Sequence, residues 1–150
     1  MKTLRDSIEI NTKPEKIYQW LRNLDKNYKQ WHQDHVNAVK LTKTSELKIG
    51  DIFCYEEYLH GELHTFKFKL INIEENKAIE FKTLFPASLI CPKGSFLIEP
   101  KDDGSIFTAT LSFRMGKIFS RFAKSRVDAI KQHMKEEGEN LKSLLENEKD

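Results

Sequence analysis

The sequence predicts an α+β fold. An antiparallel sheet of six to seven strands wraps around one long C-terminal helix, with two short helices after the first strand. Three observations predict it. Through the middle of the chain, apolar residues alternate in runs joined by tight turns, the pattern of consecutive hairpins. The last stretch, Gly116 to Glu148, repeats its apolar residues at the helical period. Between the first strand and the hairpins, a proline and two short aromatic segments interrupt the alternation.

Leu4 to Asn11 alternates, with Ile8 and Ile10 on one face. Asn11-Thr12 before Pro14 reads as a helix start, a capping side chain followed by proline in the first turn. The helix Pro14 to Leu21 carries Ile17, Trp20 and Leu21, and Asn23 to Trp31 forms a second. Val39 to Thr44 reads as a strand and Ile49-Gly50-Asp51 as a turn. Ile52 to Leu59 and Leu63 to Ile73 form a hairpin around His60-Gly61-Glu62. One face of the first arm holds Phe53, Tyr55, Glu57 and Leu59; one face of the second holds Phe66, Phe68 and Leu70. Ala78 to Phe85 is a further strand. Phe85 to Gly94 is a proline-bounded apolar loop fit to line a pocket. Ser95 to Glu99 and Ser105 to Met115 close the sheet around Lys101-Asp102-Asp103-Gly104. A twisted sheet wrapped around one helix leaves a pocket between them.

The helix carries an anomaly. With Ile130 as origin, Phe119, Ala123, Val127, Met134, Leu141, Leu144 and Leu145 fall within about 60° of it. Glu137 sits near the centre of this stripe, His133 on its edge and Arg126 between them, while Glu136 points away. A carboxylate facing a dry core needs a partner, so this face meets a cavity, a cation or a metal. His133 and Glu137 are spaced i, i+4 and stack on one side, as do the two histidines of the HExxH metal motif. The alternative is a plain ion pair on a helix face. Arg126 either reaches the pocket or lies along the surface, and the second is favoured.

Composition narrows the classes. The 150 residues read as one domain, 1–150, with 32% charged and 39% hydrophobic residues. A net charge of +2 with mixed signs excludes a nucleic-acid-binding stripe. The longest uncharged run, Thr83 to Pro92, is too short to span a membrane. Met1 to Ile10 has no apolar leader core. Cys54 and Cys91 form no disulfide framework and read as small buried side chains, so a cytoplasmic location is expected.

Three stretches carry a resemblance. These are Ile8-Glu9-Ile10 followed by Pro14-Glu15-Lys16-Ile17-Tyr18, the Gly50-Asp51 turn, and the ending Glu136 to Glu146. Over nearly its whole length the chain resembles the helix-grip superfamily of START-like and polyketide cyclase-like (SRPBCC) proteins, which hosts carriers, receptors, cyclases and hydrolases alike. Tyr28 to His35, Glu57-Tyr58-Leu59-His60-Gly61 and His133 to Glu137 are further similar to the metal segments of the diacetylphloroglucinol hydrolase branch. That resemblance implies a zinc-dependent enzyme that hydrolyses a carbon–carbon bond next to a ketone. It implies His35, Glu57, His133 and Glu137 as ligands, with iron or manganese as other metals for such a set. It also implies Tyr28 as a substrate contact. The Trp31 to His35 segment is one residue shorter than in that branch, so His32 competes with His35 as ligand. The histidine left over, His32 in the assignment taken here, is the candidate general base.

The expected function is therefore a metal-dependent hydrolase-like enzyme for a small aromatic or ketone substrate. Tyr55, Phe66, Phe68 and Met134 would contact this hydrophobic ligand, and a homodimer is one expected assembly. His60 and His64 are expected to be exposed. The alternative is a non-catalytic carrier or sensor of a small hydrophobic molecule; a partner-binding protein is a third reading. The discriminating feature is convergence of Glu57 with His133 and Glu137, which a metal requires and a carrier does not.

Overall fold

A computed structural model describes residues 1–59, 61–114 and 119–147, with the backbone alone along 119–123. The described elements run β1 (Lys2–Ile10), α1 (Pro14–Arg22), α2 (Leu24–Trp31), β2 (His35–Lys40), β3 (Ile52–Leu59), β4 (Glu62–Glu74), β5 (Ala78–Thr83), β6 (Lys93–Lys101), β7 (Gly104–Phe113) and α3 (Phe119–Glu146). All strands pair antiparallel in one seven-stranded sheet, ordered β1-β7-β6-β5-β4-β3-β2. This is the expected helix-grip arrangement. Only β1 leaves chain order, joining β7 because the two short helices carry the chain across to β2.

Several boundaries differ from the sequence reading, each for a local reason. The first strand of the middle region starts at His35, not Val39, and ends at Lys40. Thr42 and Thr44 are β-formers, yet their hydroxyls both donate to the Asp51 carboxylate at 2.8 Å. That carboxylate also accepts the Lys48 N–H at 2.8 Å and is only 2% exposed. Burial would raise its pKa, but these hydrogen bonds and Lys40 hold it below the usual carboxylate range. The segment 41–51 is thus folded around one acid instead of extending the sheet. At α1 the cap is Lys13, with no side-chain cap, and Pro14 begins the helix. Asn11 instead gives its N–H to Glu146 Oε1 at 2.9 Å, tying the end of β1 to the end of α3. β5 stops at Thr83, and β6 runs from Lys93 to Lys101, beyond the expected Ser95 to Glu99. Gly116, Met115, Glu148 and His60 lie outside the described residues, and Phe119 and Ala123 outside the described side chains.

The helical stripe faces the sheet as its period requires. Val127, Met134, Leu141 and Leu145 are buried, and Ile130 and Leu144 are half-buried. Trp31 fixes α2 to this helix: its indole N–H donates to the Glu137 carbonyl at 2.8 Å, and Asn140 Nδ2 donates to the Trp31 carbonyl at 2.9 Å. The core continues through Ile17, Trp20, Leu21, Phe53, Tyr55, Leu70, Phe81 and Phe107.

Gly94 sets the spacing on the sheet's inner face. It pairs with Phe81 in β5, and a Cβ there would stand 2.6 Å from Phe81 Cζ and 2.8 Å from Leu111 Cδ2. Gly94→Ala is expected to destabilise the fold by about 1–3 kcal/mol through overpacking, read as a lower urea midpoint at unchanged slope. A midpoint equal to wild type would mean that the two side chains have room to yield.

Candidate metal and ligand site

The sheet faces α3 across a cavity of about 310 Å³, within the range that takes small organic ligands. Strand alternation builds its wall. Phe53, Tyr55, Glu57 and Leu59 of β3 all line it, as do Phe66, Phe68 and Leu70 of β4. From α3 come Arg126, Val127, Ile130, His133, Met134 and Glu137. The candidate ligand contacts Tyr55, Phe66, Phe68 and Met134 are therefore all cavity residues. Cys54 and Tyr58, of opposite parity, are not.

Four polar side chains meet at one place on this apolar wall. Sheet register puts His35 of β2 directly opposite Glu57 of β3. The helix brings His133 and Glu137 down onto them. His35 Nε2 lies 3.0 Å from Glu137 Oε2, 3.3 Å from Glu57 Oε2 and 3.1 Å from His133 Nε2. His133 Nε2 lies 3.2 Å from Glu57 Oε2 and 3.5 Å from Glu137 Oε2. The side chains are 0–17% exposed.

The electrostatics of the quartet are those of two buried carboxylates and two bases. Burial alone would lower both histidines, but hydrogen bonds and charge from Glu137 and Glu57 outweigh it, lifting His35 to about 9 and His133 to about 10. Burial opposes the charged form of Glu57 too, yet the two histidines hold it down to about 2 and keep Glu137 below its ordinary value. Two protons thus neutralise two carboxylates, at the expense of setting two cationic nitrogens 3.1 Å apart.

Tyr28 and the turn after α2 orient His35. The Tyr28 ring stacks on the imidazole with centroids 3.7 Å apart and planes 6° from parallel. The Tyr28 carbonyl accepts from His35 Nδ1 at 2.8 Å, which leaves Nε2 facing the quartet. The Tyr28 hydroxyl donates to Glu57 Oε2 at 2.9 Å. Burial, then the Glu57 and Glu137 charges, push its pKa far up, so it keeps its proton.

His32 is placed differently from its expected role as a base open to the substrate. It is 4% exposed and lies off the cavity wall. Its Nδ1 accepts the Asp34 N–H at 3.0 Å, and its Nε2 lies 2.9 Å from Glu136 Oε1. Its ring packs on His133 with centroids 4.2 Å apart. Both nitrogens are engaged, so His32 supports His133 from behind. Glu136, read from the wheel as pointing away, turns to His32, which lowers its pKa. His64 also departs from expectation: half-buried, it stacks on Phe66 at 5.7 Å and lines the cavity. Its parity with Phe66 and Phe68 carried that signal. Arg126 and Arg114 are exposed at the rim of the cavity. Cys54 and Cys91 are free and half-buried, and burial pushes the Cys91 thiol up to about 12.

Among the described residues, His35, His133 and Glu137 present ligand atoms close enough together to share one metal ion, and Glu57 lies beside both histidines. Ligands bound 2.0–2.1 Å from a tetrahedral zinc stand about 3.3–3.4 Å from one another. The five nitrogen and oxygen separations above run from 3.0 to 3.5 Å. A divalent cation would carry the charge of the two protons it replaced and remove the repulsion between the facing nitrogens.

Comparison with known proteins agrees with this architecture. No curated protein matches the sequence. Among solved structures, TTHA0849 from Thermus thermophilus superposes with a TM-score of 0.78 at 14% identity, over 98% of this chain and 100% of that one. The Zhui aromatase/cyclase from Streptomyces sp. R1128 gives 0.75 at 9% identity, over 97% and 93%. Ara h 8.0201 gives 0.74 at 14%, over 98% and 99%. At such identities the likeness concerns the fold. Residues 1–146, which hold the sheet, the helix and the cavity between them, match the model of one family, and the chain belongs to that family, polyketide cyclase / dehydrase and lipid transport.

Proposed function

We propose that the chain is a metal-dependent hydrolase-like enzyme, with zinc as the fitting metal, acting on a small aromatic or ketone substrate. The observation that carries this reading is the convergence of His35, His133, Glu57 and Glu137 beside a largely apolar cavity, with five of their six mutual separations at 3.0–3.5 Å. The resemblance of the same three segments to the diacetylphloroglucinol hydrolase branch supports it and suggests hydrolysis of a carbon–carbon bond next to a ketone. In that reaction the oxygen of water goes to the acyl carbon, and the departing carbon takes a proton.

A bound zinc would supply carbonyl polarisation and a water of lowered pKa. The rest of the chemistry belongs to the chain. The aromatic wall of Tyr55, Phe66 and Phe68 takes the apolar body of the substrate and excludes water from it. The Tyr28 hydroxyl fixes Glu57, and its carbonyl fixes the tautomer of His35. The aliphatic and aromatic side chains that make up most of the wall favour a second reading, a carrier for a small hydrophobic molecule; it needs the same cavity and no metal.

Metal analysis of untagged protein separates the two. Wild type is expected to hold near-stoichiometric zinc, and Glu137→Gln and His133→Gln to lose it, with affinity down more than about 100-fold. A wild type that takes up no transition metal when incubated with it would leave the carrier reading. Tyr28→Phe removes one hydrogen bond to a ligand and is expected to weaken zinc binding about 10- to 100-fold, by competition with a chromogenic chelator.

The sign of the pH dependence follows from the shifts. Histidine values raised above 6.5 give stability that is complete below 6.5 and lost as pH climbs through about 9 to 10. A Glu57 value lowered below 4.5 gives stability present above 4.5 and lost as pH falls toward about 2. Metal-free protein is expected to melt highest between these two ordinary values. Zinc must displace protons from both rings, so its affinity should rise with pH toward about 9. Melting curves with chelator and with zinc check this; parallel profiles would deny the quartet a metal.

A further inference from the structure

The cavity has a second polar end that the quartet does not use. Arg114 follows Phe113, the last residue of β7, and its backbone N–H donates to the Ile90 carbonyl at 2.8 Å. Arg126 precedes Val127 on α3. Phe113 and Val127 share one packed cluster with Leu4 and Met134, so the two arginines flank the same end. Both line the cavity and both are exposed at its rim. Among the described residues neither guanidinium has a hydrogen-bond or ion-pair partner. On the same helix, the first cavity-lining carboxylate after Arg126 is Glu137, eleven residues on and about 16 Å away at 1.5 Å per residue.

The helix fixes the spacing of the two ends. Seven residues separate Arg126 from His133, close to two full turns, so both lie on one face about 10 Å apart. A guanidinium fork matches a carboxylate in shape and charge.

We propose that Arg114 and Arg126 form an anion-binding end of the cavity, so that its ligand is an elongated, largely aromatic keto acid with a carboxylate about 10 Å from the carbonyl that faces the quartet. The assignment of the carbonyl end rests on the enzyme reading above; the anion end stands on the arginines alone. It turns the substrate class from any apolar ketone into an amphiphilic acid held at both ends, with a fixed direction of entry.

The test compares 4'-acetylbiphenyl-4-carboxylate with its uncharged carboxamide, by calorimetry at low salt on the full chain. Two rings separate the acetyl and carboxylate groups, a span of about 10 Å that matches the helix rise from Arg126 to His133. Wild type is expected to bind the acid at least about tenfold more tightly than the amide. In the Arg114→Gln/Arg126→Gln double variant that ratio is expected to fall near one, and in the double lysine variant to persist in part. Amide affinity and melting temperature kept at the wild-type level in the double glutamine variant show that the fold and cavity survive the change. Equal binding of acid and amide by wild type would overturn the proposal. So would an acid preference that survives in the double glutamine variant, since the carboxylate would then be held at the quartet. An arginine-dependent preference in a protein that takes up no metal would sustain the anion end while the enzyme reading fell.

Discussion

Two glutamates that face an apolar interior are the constraint on which the rest of this structure depends. Glu57 points inward because it shares parity with Phe53 and Tyr55, and Glu137 because it shares a stripe with Met134 and Leu141. Neither is tolerable alone in such surroundings. The fold answers with His35 from the edge strand and His133 from the helix. These four side chains come from two neighbouring strands and a helix remote from them in sequence, so their meeting fixes how α3 sits against β2 and β3. Trp31 and Tyr28 then hold that arrangement, one through α3's backbone and the other through His35 and Glu57.

The same constraint explains why the cavity stays open. A stripe of leucines at 133 and 137 would let the helix drop onto the sheet and close the gap. Polar groups that satisfy one another at 3.0–3.5 Å hold the two layers apart at that end, and the large rings of β3 and β4 wall the space on the sheet side. Pocket and cluster are thus one feature, which is why a carrier and an enzyme fit the same frame.

Much of this was legible in the sequence. Period two placed Phe53, Tyr55, Glu57, Phe66 and Phe68 on the inner face, and period 3.6 placed His133 and Glu137 there too. What it could not give was long-range register. Whether His32 or His35 entered the quartet turned on a single residue of turn after Trp31, and β2 begins four residues earlier than its β-branched content suggested. Thr42 and Thr44 looked like strand because of their shape; their hydroxyls, drawn to Asp51, decided otherwise. The wheel turns Glu136 away from the stripe, but it knows nothing of His32, which arrives just after α2. His64 was legible by parity alone, and nearness to a turn was the weaker guide.

The way α3 is fastened has a mechanical consequence. Among the described residues its polar ties to other elements lie in its second half: the quartet, Glu136 to His32, the Glu137 carbonyl and Asn140 to Trp31, Lys142 to the Glu9 carbonyl, and Glu146 to Asn11. The segment around Arg126 and Val127 is held by apolar packing. A rod pinned at one end is a lever. A tilt of a few degrees about the Trp31 contacts would move Arg126, about 16 Å from Glu137 along the axis, by an ångström or so while leaving the quartet almost still. The cavity can therefore widen for a guest at its arginine end without disturbing the geometry at the other.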